Sequence, residues 1–224
     1  NIILFPGRGF MGKGIGQKIK FLAFFILGLF RSFILIRKEK PHLACGFGGY
    51  GSLAFLLACY FRRIPFMVQE QNLIPGRTTR FLSRLAKETL ISFSDSKLYL
   101  PKAKTFFSGN PCREEFIAMH QSLGNNGYEP EKRNLFLIVG GSQGSHFLNK
   151  NLPLPLLKLL SDFPDLIIVH LCGQRESEEV REAYAAYTSR VEVIDFSFTI
   201  LNWLKEARLV ISRSGATILT EISL

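Results

Sequence analysis

The sequence is poor in the residues that staple or metallate small domains. Its four cysteines, Cys45, Cys59, Cys112 and Cys172, form no CxxC pair, and His42, His120, His146 and His170 supply no zinc spacing. A zinc module and a disulfide framework are therefore poor readings, and free thiols with apolar neighbours fit a reducing compartment. Several other signals are missing. There is no Walker A loop, no GxGxxG fingerprint, no Ser-His-Asp arrangement arguable from spacing, no nucleic-acid motif, no internal repeat and no low-complexity tract. There is also no starting Met and no signal peptide; the chain opens on Asn1–Phe5 and stops inside an apparent helix at Glu221–Leu224, which reads as a piece of a longer protein lacking both ends.

Acidic residues are scarce in one half only. Residues 1–112 carry 17 Lys or Arg against 4 Asp or Glu, and residues 113–224 carry 11 against 14. Charges of +13 and −3 within a net +10 indicate two units with different partners, the basic one facing an anionic surface. With 224 residues, 47% of them hydrophobic and 21 of them Phe, the chain can bury one large core or two smaller ones.

Two apolar stretches resemble membrane spans. Phe21–Phe30, followed after Arg31 by more apolar residues to Ile36, is short for a span of about 20 residues, and Lys13, Lys18, Lys20, Arg31, Arg37 and Lys38 surround it. It fits either a helix lying at a membrane surface or an ordinary surface helix with one face in the core. Leu43–Phe61 has no charge, but Gly46, Gly48, Gly49 and Gly51 break it into strand, turn and helix.

Short apolar runs alternate with helical ones. Strands are expected at Ile2–Phe5, Leu43–Cys45, Phe66–Gln69, Thr89–Phe93 and Thr105–Ser108, with helices near 15–38, 52–62, 76–86 and 95–99. A turn-rich stretch, 109–133, carries Gly109-Asn110-Pro111, Gly124–Gly127, Pro130 and one short helix. A second series then follows. Its strands are Leu135–Val139, Leu166–His170, Val191–Ile194 and Leu209–Ser212, and its helices lie near 144–161, perturbed by Pro153 and Pro155, and near 176–188, 199–206 and 214–223. This pattern predicts an α/β fold of two parallel-sheet units: a partial N-terminal unit over 1–109, a hinge over 110–133 and a partial C-terminal unit over 134–224. In such sheets ligands bind beyond the carboxyl ends of the strands, so the informative loops are those that follow strands.

Four of these loops, and the hinge, carry suitable chemistry. Gly140-Gly141-Ser142-Gln143-Gly144 leads from a strand into a helix. Glycines permit close approach to a phosphate, the helix start offers free N–H groups, and Ser142 adds a hydroxyl; a plain tight turn would use the same residues. Ser212-Arg213-Ser214-Gly215-Ala216-Thr217 repeats the arrangement, with Ser214 or Gly215 as cap. Glu221 lies one to two turns on, as a carboxylate for ribose hydroxyls or simply for solvent. Gly46–Ser52 is the third loop and Gln69-Glu70-Gln71-Asn72 the fourth, its amides and carboxylate suited to sugar hydroxyls. At the hinge, Arg113 could clamp a diphosphate or merely be solvated.

Taken in order, Gly46–Ser52, Glu70-Gln71-Asn72, Gly109-Asn110-Pro111 with Arg113, Gly140–Gly144, and Arg213–Ala216 with Glu221 resemble the MurG-type family of GT-B glycosyltransferases, from Gly12-Lys13-Gly14 to Glu221. The resemblance implies two Rossmann-like domains facing a cleft. It also implies inverting transfer of N-acetylglucosamine from UDP-N-acetylglucosamine to undecaprenyl-diphospho-N-acetylmuramoyl-pentapeptide, the lipid I to lipid II step of peptidoglycan synthesis. No metal or cofactor is implied, and the partners would be the donor, the lipid acceptor and an anionic membrane on its cytoplasmic face, not nucleic acid. Asn72 would then touch the donor sugar. Arg113 and Ser142, with Gly140, Gly141, Gln143, Gly144, Ser214 and Gly215, would hold the nucleotide and diphosphate. Ala216, Thr217 and Glu221 would lie under the diphosphate and ribose, and the backbone near Phe196 and Ser197 would face the uracil.

The family's histidine-bearing first loop and its later glutamine segment are absent from this sequence, so Glu70 is the internal candidate for the base and the chain alone is expected to be inactive. Gln69 stands where His is frequent, Thr79 where Asn is, and Ser197 where a branched apolar residue is common. A related transferase with a diacylglycerol acceptor and a non-catalytic basic membrane binder are the competing readings.

Overall fold

The computed structural model describes residues 15–123 and 133–224. The expected strand Ile2–Phe5, the Gly12-Lys13-Gly14 segment and the Gly124–Pro130 turns lie outside the described residues. The chain divides into two compact units, with the boundary between Asn110 and Pro111.

The first unit is a four-stranded parallel sheet in the order β1-β2-β3-β4. Its strands are β1 (Ala44–Gly46), β2 (Phe66–Glu70), β3 (Glu88–Ile91) and β4 (Thr105–Phe107). Helix α1 (Ile15–Glu39) runs 25 residues through Leu, Ile and Phe without a proline, and Pro41 ends it by disfavouring helical geometry at Lys40, which turns to φ +46°. Helix α2 (Gly49–Phe61) begins three residues earlier than expected. Gly48 and Gly49, both at φ near +70°, complete the turn by themselves, and Tyr50 and Gly51 are already helical. Helix α3 (Arg77–Leu82) is shorter than expected because the chain tightens at Ser83 toward β3, and residues 94–99 form a 3-10 helix. Ile36, Leu56, Cys59, Phe66, Val68 and Leu82 make the core between α1, α2 and the sheet.

The second unit is a parallel sheet in the order β7-β6-β5-β8. Its strands are β5 (Leu135–Val139), β6 (Ile167–Leu171), β7 (Val191–Ile194) and β8 (Ala207–Ser212). Central strand β5 feeds two cores, as a strand covered on both faces must. Ile138 packs with Leu156, Leu160, Ile168 and Tyr184, while Leu135, Leu137 and Val139 pack with Val169, Leu171, Ile200 and Leu201. Helix α4 (Glu114–Leu123), expected as part of the hinge, inserts a fully buried Phe116 into the latter core and is an integral layer of this unit. The helix expected over 144–161 is split at Leu152 into α5 (His146–Asn151) and α6 (Pro153–Asp162). Pro153 lacks the N–H that would continue α5, but it suits the first turn of a new helix. Helices α7 (Ser177–Ala183), α8 (Ile200–Glu206) and α9 (Ala216–Ser223) complete the fold.

A buried histidine is expected to make this unit acid-sensitive. His170, on β6, is fully buried; its Nδ1 lies 3.3 Å from the Tyr184 hydroxyl and its Nε2 has no protein partner. Burial lowers its pKa from 6.5 to about 4. The unfolded chain therefore takes up this proton first as pH falls. The stability contributed by neutral His170 is complete above pH 6.5 and declines down to about pH 4, by about 3 kcal/mol in all. Replacing His170→Leu is expected to flatten the denaturation midpoint of the second unit across that window. An unchanged acid slope would assign the sensitivity to another group.

Candidate functional site

In the first unit the loops at the carboxyl ends of β1 and β2 carry the candidate side chains. Gly48 is the N-cap of α2 and supplies no side-chain hydrogen bond to it, and a Cβ there would lie 2.9 Å from the buried Thr79 Oγ1. The first turn of α2 therefore keeps its N–H groups uncapped by side chains. Of the four polar residues 69–72 at the end of β2, two point inward. Gln69 is buried; its Nε2 donates to Ser92 Oγ (3.1 Å) and Gly109 O (3.2 Å), and its Oε1 accepts from Ser108 Oγ (3.2 Å). It braces β2 to β3 and to the end of the unit.

Glu70, the candidate base, is only 4% exposed. Its Oε1 accepts from Asn72 N (3.0 Å) and Asn72 Nδ2 (3.1 Å), and its Oε2 accepts from Gly76 N (3.3 Å). Three N–H groups occupy the carboxylate, a geometry that favours ordering the loop over accepting a substrate proton. Asn72 is exposed.

In the second unit the sheet register aligns the loops. Val139 pairs with both Leu171 and Ser212, and Leu171 pairs with Ile194. The loops after β5, β6, β7 and β8 thus leave the same end of one sheet at one level. Gly140 N donates to Leu171 O (3.0 Å), Gly144 N to Gly141 O (3.0 Å), and Gly141, Ser142 and Gln143 form an exposed tip. Only glycine fits at 144. Its φ is +76°, and a Cβ would overlap the carbonyl oxygen of Cys172. Gly173 answers it at φ +81°, where a Cβ would lie 2.6 Å from Gly144 N. Asn149 Nδ2 ties the two loops together by donating to Cys172 O (2.9 Å) and Glu176 Oε2 (2.7 Å). The Asn149 bond, then that of His146, hold the Glu176 carboxyl below its ordinary pKa.

Gly215 caps α9 without a side-chain bond; Ser214 and Thr217 are exposed and Ala216 half-buried. Next to β8's loop in this unit, Arg113 and Glu221, separated by 108 positions, are brought together. Arg113 Nε donates to Glu221 Oε1 (2.7 Å) and Nη2 to Oε2 (2.9 Å), a two-pronged ion pair, while Nη1 lies 3.3 Å from Glu115 and the guanidinium sits 4.7 Å over the Phe116 ring. Glu221, expected at a ribose, thus holds Arg113, expected at a diphosphate. Ser197 Oγ accepts from Thr199 N (3.1 Å) and shapes the turn after β7, flanked by Phe196 and Phe198 with ring centroids 4.8 Å apart. Sequence reading missed Phe198, which is 82% exposed, because nothing in its local pattern marks an outward aromatic. It also missed Gly173, which is separated from the strand end by Cys172.

Two parallel α/β units, with glycine-rich strand-to-helix turns gathered at one end of the second sheet, define a GT-B glycosyltransferase fold. Residues 1–91 match the glycosyltransferase family 28 N-terminal domain and residues 135–224 the glycosyltransferase family 28 C-terminal domain. The chain belongs to glycosyltransferase family 28.

Among its relatives is the UDP-N-acetylglucosamine--N-acetylmuramyl-(pentapeptide) pyrophosphoryl-undecaprenol N-acetylglucosamine transferase of Trichlorobacter lovleyi, 35% identical over 98% of this chain and 61% of the relative. The protein of the same description from Geobacter sulfurreducens is 33% identical over 96% of the chain and 59% of its own length. The chain therefore spans about three fifths of these relatives. Among solved structures, Acinetobacter baumannii MurG superposes with a TM-score of 0.58 at 29% identity, covering 96% of this chain and 58% of that one. A UDP-GlcNAc 2-epimerase from Neisseria meningitidis shares the fold, with a TM-score of 0.64 at 16% identity over 92% of this chain and 62% of its own.

The Arg113–Glu221 pair predicts a stability hierarchy. The Glu221 side chain is 4% exposed, so Arg113→Ala strands a buried carboxylate and is expected to destabilise the second unit by about 3 kcal/mol. Glu115→Ala, at the exposed end of the same guanidinium, costs under about 1 kcal/mol. Denaturant unfolding of the two variants measures the difference, and equal losses would discount the pair.

Proposed function

We propose that the complete protein transfers N-acetylglucosamine from UDP-N-acetylglucosamine to undecaprenyl-diphospho-N-acetylmuramoyl-pentapeptide, with inversion at the anomeric carbon. The observation that carries this reading is the common exit level of four loops at the carboxyl end of the second sheet. Family membership and the descriptions of the Trichlorobacter and Geobacter relatives support it.

Each loop then has a role. Gly140, Gly141, Ser142, Gln143 and Gly144 receive one side of the donor diphosphate, and Ser214, Gly215, Ala216 and Thr217 at the uncapped start of α9 receive the other. The turn at Phe196 and Ser197 faces the uracil through its backbone, and Arg113 with Glu221 borders the ribose and diphosphate. Asn72 is the residue assigned to the sugar. As the acceptor hydroxyl attacks from the face opposite UDP, negative charge builds on the leaving diphosphate. N–H groups fixed by the fold stabilise that charge without rearranging.

The same reading places the first unit against the cytoplasmic face of a bacterial membrane as a peripheral protein. Helix α1 has two apolar faces. Leu29, Phe33 and Ile36 pack on the core, while Ile19, Leu22, Ile26, Phe30 and Ile34 remain exposed, Phe30 by 64%. Lys20, Arg31, Arg37 and Lys38 lie along the helix, suiting it to an anionic lipid surface.

Calorimetric titration of the complete protein with UDP-N-acetylglucosamine and with UDP tests the donor site. Saturable binding of both is expected. Ser142→Ala should weaken each by about tenfold or less, and Asn72→Ala should weaken the sugar nucleotide but not UDP. No binding by the folded complete protein would reject the reading. For the membrane face, Lys20→Glu and Arg37→Glu should each reduce affinity for phosphatidylglycerol-containing vesicles by about tenfold or more; unchanged vesicle binding would remove α1 from the contact.

A further inference from the structure

We propose that Glu70 is the positioning residue of the transferase, holding the Asn72 amide toward the donor sugar, and that it does not take the acceptor's proton. The inference rests on the donor reading given above, in which Asn72 meets the sugar. It starts from the 70–76 segment, which leaves the end of β2 and must stay ordered although Asn72, Leu73 and Ile74 are all exposed.

Three side chains order this segment from different sides. Glu70 accepts from Asn72 N, Asn72 Nδ2 and Gly76 N, so one carboxylate closes both ends of the loop. Ser96, fully buried, donates to Leu73 O (2.9 Å) and lies 3.2 Å from Asn72 O. Arg80 Nε donates to Pro75 O (3.0 Å) from helix α3.

The consequence for Asn72 is chemical. A free side-chain amide rotates and offers either end to a ligand. Here one N–H is tied to Glu70 Oε1, which sets the amide's orientation and leaves Oδ1 and the second N–H for a sugar hydroxyl or acetamido group. Glu70 is suited to this task and unsuited to proton transfer. A general base must come within hydrogen-bond reach of the proton it takes, and this carboxylate is 4% exposed with both oxygens turned toward its own loop.

The test is a mutant cycle in the complete protein, comparing wild type, Glu70→Gln, Asn72→Ala and the double variant. Gln at 70 keeps one acceptor for the Asn72 groups but turns an NH2 toward Gly76 N–H, so the loop loosens while the shape is preserved. Glu70→Gln is expected to lower kcat/KM by about 10- to 100-fold, the effect of losing one charge-assisted hydrogen bond, with the limbs of the pH–rate profile unmoved. Because Glu70 acts through Asn72, the double variant should be no worse than Asn72→Ala alone.

A fall of about a thousandfold or more on Glu70→Gln, with loss of the acidic limb of the profile, would assign Glu70 to proton transfer and overturn the proposal. So would additive losses in the double variant. Amide hydrogen exchange gives a readout that needs no turnover: Glu70→Ala is expected to speed exchange at Asn72 N and Gly76 N, and unchanged exchange would overturn the clamp itself. Failure of the wild-type complete protein to bind UDP-N-acetylglucosamine would overturn the donor reading and, with it, the role given to Asn72, even where the exchange result stands.

Discussion

The parallel pairing of β5 with β6 on one side and β8 on the other is the constraint on which the second unit depends. It brings Val139, Leu171 and Ser212 to one level, and β7 extends that level to Ile194. The loops begin just beyond that level. Parallel strands need crossover helices, so each strand end becomes the start of a turn toward a helix. Small residues recur at these turns: Gly140, Gly144, Gly173, Ser214 and Gly215. The close approach between Gly144 and the Cys172–Gly173 backbone shows how little room remains.

Burying polar groups carries a cost, and each unit offsets most of it by pairing them; Asn149 Oδ1 is an exception. Gln69, Glu70, Asn149 and Glu221 are all buried, and each bonds backbone or a charged partner from another segment. An unpaired group at any of these places would cost about 1–3 kcal/mol. They also determine which groups above them remain available. Gln69 takes Gly109 O, so the last turn of the first unit is tied to its sheet. Glu221 takes the guanidinium of Arg113, so a ligand needing either one meets them as a pair.

The fold was largely legible because alternation of apolar runs with helical runs survives at any register. β5 and β7 were read at their observed ends, and the other described strands within one or two residues. Helix ends were less legible, since they depend on backbone conformations that composition does not reveal. Two glycines at positive φ start α2 early, and Pro153, legible as a perturbation of one helix, in fact begins a second. Candidate residues could be named from strand ends, but their partners could not. No local pattern shows that Glu221 closes on Arg113, or that Glu70 bonds the residue two places on rather than facing outward. Contacts across 108 residues, and the choice between an inward and an outward rotamer, are decided by packing.

Helix α1 brings the charge asymmetry and the packing into one account. A helix whose inner face is satisfied by Leu29, Phe33 and Ile36 gains nothing within its own unit from Ile19, Ile26 and Phe30 on the outside. Those side chains leave apolar surface in water, at roughly 25 cal/mol per Å². Acidic residues would be the simplest means of keeping such a face soluble, yet Glu39 at the far end is the only acid in the helix. Exposed apolar area combined with one sign of charge is what an interface of opposite charge and low polarity selects. The second unit does not share that sign of charge: residues 113–224 are slightly acidic overall, and what it gathers at one end of its sheet is a set of strand-to-helix turns.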